Sequence, residues 1–92
     1  MIRMYTIDES GYNSDHDYDM LSQRAMFFMN VLEDNDCIVI SNSYHGYPTG
    51  GGHTVQRFVI TYRSNNDEKF NFNRIENETN RLFNLWKKGK LK

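Results

Sequence analysis

The chain has 92 residues, of which 38% are hydrophobic and 25% charged, and a formal net charge of −1. That is enough apolar material for one self-sufficient core and too much for a disordered chain. No apolar run approaches the ~20 residues of a membrane-spanning helix, MIRMYTIDES lacks the apolar stretch of a signal peptide, and the single cysteine, Cys37, has no disulfide partner within the chain. The expectation is one α+β domain over residues 1–92, cytoplasmic, with no membrane partner.

Residues 2–7 alternate, with Ile2, Met4 and Thr6 on one side and Arg3, Tyr5 and Ile7 on the other, which predicts a short strand. The polar stretch DESGYNSD reads as a connection. Ser14 to Asp17 resembles a capping box with Asp in place of Glu. A helix follows over residues 17–33, its inner arc formed by Tyr18, Leu21, Ala25, Phe28, Met29 and Leu32 at 3.6-residue spacing. Asp34, Asn35 and Asp36 end it. Residues 37–44 read as a strand with Ile38 and Ile40 on one side, and Val39 and Ser41 on the other, wet side. Residues 43–54, SYHGYPTGGGHT, hold four of the six glycines, the only proline and two of the three histidines, and read as a long loop. Residues 55–63 form a strand with Phe58, Ile60 and Tyr62 facing inward. The alternation in KFNFN predicts a further strand over residues 69–73, because Phe70 and Phe72 cannot share one helical face. A last helix over residues 74–88 turns Ile75, Thr79, Leu82, Phe83 and Trp86 inward and stops at Gly89. The order is thus β-α-β-β-β-α: a mostly antiparallel sheet with both helices on one face and the other face polar enough to be wet.

The α-β-β-β-α order from Asp17 onward resembles that of the double-stranded RNA-binding domain, and GGGHTVQRF is loosely similar to that family's loop before a strand. The family grips phosphates with a lysine cluster at the start of its last helix. Here that position reads Asn73-Arg74-Ile75-Glu76-Asn77-Glu78, so the resemblance is one of order and RNA binding is not carried over with it.

Motifs of known chemistry are few. The three consecutive glycines lead into a strand, whereas phosphate-cradling loops open a helix. Asp15-His16-Asp17 and the pair His45, His53 do not have metal-ligand spacing. Cys37 begins an apolar strand, where a thiol acts as a small hydrophobe. Neither an enzyme nor a bound metal or cofactor is therefore expected.

Charge is uneven. Residues 1–36 carry eight acids and two bases, and residues 37–92 nine bases and four acids. Three function classes follow. The first is a non-enzymatic protein-binding module, which in a short Asn-rich chain matches phage or mobile-element inhibitors of host defence proteins (anti-CRISPR-type or other anti-defence). Its contacts would be the loop residues Tyr44, His45, Tyr47 and His53 together with a flank of the first helix, Met20, Phe27 and Val31, a surface that also admits a homo-oligomer. The second is nucleic-acid binding through Arg57, Arg63, Lys69, Arg74, Arg81 and Lys88. The third is an oligomeric sponge for a small anionic nucleotide.

Overall fold

The computed structural model describes residues 1–12, 18–51 and 53–89, with residues 9–12, 18, 19, 49, 53 and 54 described by backbone alone. The elements are β1 (Ile2–Tyr12), α1 (Tyr18–Asp34), β2 (Cys37–Gly50), β3 (His53–Ser64) and α2 (Phe72–Lys87). The three strands form one antiparallel sheet in the order β1-β3-β2. β3 is therefore paired along both sides, from Ile2↔Arg63 to Tyr12↔His53 with β1 and from Cys37↔Ser64 to Gly50↔His53 with β2. The α+β class holds.

Residues directly opposite one another in such a ladder share a face. Phe58, Ile60 and Tyr62 of β3, Ile7 of β1 and Cys37 of β2 are buried on the helix side with Leu21, Ala25, Phe28, Val31, Leu32 and Ile75. Phe28 of α1 is fully buried. Its ring stacks on Tyr5 at 4.2 Å, meets Tyr62 edge-on at 5.8 Å and approaches Phe72 at 6.5 Å. One side chain thus joins α1 to β1, β3 and α2, in the offset and edge-on geometries that aromatic rings prefer. α2 lies beside α1: the Tyr5 hydroxyl donates to Glu76 Oε2 at 3.0 Å, and Arg24 of α1 donates to Asn80.

Four expectations are corrected. Residues 69–73 are not a strand, and the order is β-α-β-β-α, so the resemblance in element order fails as well. Asn71 is extended (φ −136°, ψ 99°) and its side chain accepts from the Arg74 amide at 3.1 Å, capping α2. Phe70 and Phe72 fall on either side of that cap. Phe70 packs by Tyr62 and under the Arg3 guanidinium, 4.0 Å from its ring, while Phe72 packs by Tyr5. Phe70 and Ile75 hold the two positions of a hydrophobic staple, while Phe70 and Phe72 flanking the cap mimic strand alternation.

β1 continues through the polar stretch to Tyr12, because β3 offers a partner at every rung. Likewise, residues 43–54 are not a long loop. β2 runs to Gly50 and β3 starts at His53, so residues 51 and 52 alone separate them. Gly50 and Gly51 take φ of 103° and 59°, the left-handed values a tight hairpin needs. Pro48 is tolerated because β2 is an edge strand, where a missing N–H breaks no ladder on its outer side. Gly46 leaves room for the Tyr44 ring, since a Cβ there would stand 3.0 Å from the Tyr44 hydroxyl.

The fourth correction concerns β2. Val39 lies opposite Tyr62 and packs on the core, whereas Ile38 lies opposite Arg63 on the open side. A β-bulge between Val39 and Ser41 inserts Ile40 as an extra residue and leaves it exposed. The expected Ser14–Asp17 cap and Asp15-His16-Asp17 lie outside the described residues.

Phe28→Ala should lower unfolding free energy by about 3–5 kcal/mol, whereas Asn71→Ala should cost about 1 kcal/mol. Urea titration followed by circular dichroism checks both, and equal losses would contradict the packing described.

Candidate functional site

The sequence-predicted contacts do not converge. Tyr44 is on the helix side of β2, its ring 5.6 Å from that of Phe58. His45 and Tyr47 lie opposite Arg57 and Val55 on the other side. His45 Nε2 is 3.2 Å from Ser43 Oγ. His53 pairs with Tyr12 and Gly50 at the end of the ladder, and its side chain lies outside the description. On α1, Phe27 and Val31 are 9% and 2% exposed and Met20 is half-buried. That flank is interior, because α2 and the sheet enclose α1 on more than one side.

The basic residues are also spread. Arg57 donates to Asp8 at 2.7 Å and 3.4 Å, and this hydrogen bond and the adjacent carboxylate raise the guanidinium pKa. Arg81 donates to Glu78 at 3.0 Å and holds that carboxyl below its usual range. Lys69 is in the turn before α2, Arg74 in its first turn and Lys88 at its C-cap, where the Lys88 amide donates to the Asn84 carbonyl and the Gly89 amide to that of Trp86. These cations are divided between the sheet and α2, and two of the six are neutralised in place.

The open side of the sheet is what the structure brings together. Both helices cover the side that carries Phe58, Ile60 and Tyr62. The other side presents three-residue rungs: Ile2–Arg63–Ile38, then Met4–Thr61–Ser41, Thr6–Val59–Ser43 and Asp8–Arg57–His45. At this end Ile2, Met4 and Ile38, with the bulged Ile40, form an apolar corner. Ile2 is 67% exposed, Met4 69%, Ile38 41% and Ile40 49%. Arg63 stands exposed in their midst and makes no ion pair among the described residues. At the far end, Tyr47 is exposed beside Val55.

Sequence reasoning placed Arg63 on this side but missed the aliphatic residues around it. Their signal is the unbroken run CIVI in β2: four apolar residues in a row leave a strand with no polar side. The same holds for Ile2 to Tyr5, where only Arg3 is charged.

One buried and one half-buried group bear on chemistry. Burial pushes the Cys37 thiol pKa up, with the Ser64 hydroxyl pulling against it, and Sγ donates to the Asn35 carbonyl at 3.6 Å. A raised thiol pKa means little thiolate near neutral pH. Burial, with the adjacent Glu76 carboxylate, likewise raises the Tyr5 phenol, while Arg24 lowers it. Among the described residues, no three His, Cys, Asp or Glu side chains converge on a position for a metal ion, and no helix is long and apolar enough to cross a membrane. No family model, curated protein or solved structure matches the chain.

Because Cys37 is buried and its thiol pKa is raised, iodoacetamide should label it at least ~100-fold more slowly in the native protein than in urea at the same mildly alkaline pH. Mass spectrometry over time measures this, and equal rates would show the thiol to be exposed.

Proposed function

We propose that the protein is a non-enzymatic binding module that docks a partner protein on the open side of its sheet, with the contact centred on Arg63. The observation that supports this most directly is the corner itself, four exposed aliphatic side chains around an arginine without an ion pair. Apolar surface of this kind gains about 25 cal/mol for each Å² removed from water. Arginine is among the residues that dominate binding energy when desolvated at the centre of a patch. The complementary surface is apolar with a carboxylate placed to meet the guanidinium.

Two competing occupants fit less well. A second copy related by a two-fold axis through this corner would bring Arg63 against Arg63. Nucleic acid would require several free cations on one surface, whereas Arg57 is held by Asp8 and Arg81 by Glu78. A nucleotide sponge would need the backbone amides of a glycine loop free to meet an anion, whereas β2 runs to Gly50 and β3 starts at His53 in a strand-paired hairpin. In its narrower form the proposal takes the partner to be a host defence protein and the chain a phage or mobile-element inhibitor in the cytoplasm. Asn-rich composition supports this, and so does the fact that covering a partner's working surface inhibits without catalysis.

The test is capture by the tagged chain from the cell it comes from, before and after nuclease treatment. A protein should be retained in both cases. Ile38→Asp and Arg63→Glu should each weaken its binding ~10- to 100-fold with the melting temperature unchanged. Nuclease-sensitive retention, or full binding by both variants, would overturn the reading.

A further inference from the structure

A second concave surface lies away from the open sheet side, between the end of α1 and the start of α2. Arg24 reaches Asn80 and Phe83, while the α1 end meets the first turns of α2, so the two helices run in opposite directions. The groove between them has a volume of about 780 Å³, within the range that takes a small ligand or a short chain segment. Its apolar floor is Val31 and Leu82, and its walls are carboxamides and charges.

Hydrogen-bond accounting shows what those walls have left to offer. Asn71 spends its side-chain oxygen on the Arg74 amide, which leaves its Nδ2 to donate outward. Asn35 Nδ2 donates to the Val31 carbonyl at 2.7 Å, which leaves its oxygen to accept. Asn73 and Asn77 are exposed and make no side-chain hydrogen bond among the described residues. The same is true of the Arg74 guanidinium and the Asp34 carboxylate, which are of opposite sign and both line the groove. Glu78 and Arg81, by contrast, satisfy each other.

A carboxamide carries the same donor and acceptor as a peptide group, so a set of free ones suits a peptide main chain and is indifferent to its side chains. The lining contains no aromatic ring on which a sugar or a base could stack. It also contains two carboxylates, Asp34 and Glu78, which oppose a polyanion. We propose that this groove binds a short extended peptide segment, its main chain held by Asn35, Asn71, Asn73 and Asn77, an acidic side chain at Arg74 and a basic one at Asp34. This site is separate from the sheet corner, and neither reading depends on the other.

The probe is a short capped alanine-serine peptide carrying one lysine and one glutamate, titrated into the isotope-labelled full chain by NMR. Saturable amide shifts should map to Asp34, Asn71, Asn73, Arg74 and Asn77 and leave Ile2, Ile38 and Arg63 unmoved. Arg74→Glu and Asp34→Lys should each weaken binding about tenfold. The double reversal should regain it for the peptide with lysine and glutamate exchanged. Absence of shifts at millimolar peptide, shifts confined to the sheet, or single reversals without effect would each overturn the assignment.

Discussion

The structure depends on β3 having a strand on each side. Paired with β1 and β2 along its length, it cannot slip by one residue without turning Phe58, Ile60 and Tyr62 out of the core. That register decides the rest. It presents the three side chains to Phe28 and fixes where α1 lies, and α2 then closes over Tyr5 beside it. It equally commits Val55, Arg57, Val59, Thr61 and Arg63 to the opposite side. With two helices on one side of a three-stranded sheet, no layer among the described residues covers the other side, so that side is presented to the surroundings.

Much of this architecture was legible where a periodic signal was long. The α1 arc is buried at Leu21, Ala25, Phe28 and Leu32, and the α2 arc at Ile75 and Thr79, because helical spacing repeats often enough to be unambiguous. Short signals failed where a local motif imitated another. Phe70 and Phe72, on either side of the Asn71 cap, look like strand alternation over five residues. Residues 43–54 carry the composition of a loop, yet β3 supplies a ladder that recruits them, and an edge strand can hold both Gly46 and Pro48.

The candidate surface was harder to read for a related reason. A strand with apolar residues on both sides, such as CIVI, does not say which side is inward; its neighbours do. The rung Cys37–Ser64 and the contact of Val39 with the core settle the choice, and the bulge at Ile40 breaks the alternation one residue later. Phe27 and Val31 were misjudged in the opposite sense. An arc drawn for a helix facing one sheet is too narrow for α1, which is packed by the sheet and by α2.

The position of the aliphatic corner within the fold bears on its use. It sits at the end of the sheet where the chain is most heavily tied. The Asn65 amide donates to the Asp36 carbonyl at 2.9 Å and its side chain to the Asp36 carboxylate at 3.0 Å, and the Met1 amine reaches Asp67 at 2.9 Å. Asp36 itself takes a left-handed φ of 61°, a conformation an aspartate tolerates when such bonds hold it. The backbone of strands anchored in this way loses little freedom on binding, which leaves the side chains alone to be ordered there. The hairpin end offers the reverse: Tyr44 and Tyr47 project from opposite sides of one strand beyond these ties, and a single partner surface cannot cover both without wrapping the edge of β2. A corner mounted on tied strands with an arginine at its centre is therefore the better-prepared place for the proposed contact, and the glycine-rich turn closes the ladder at the opposite end.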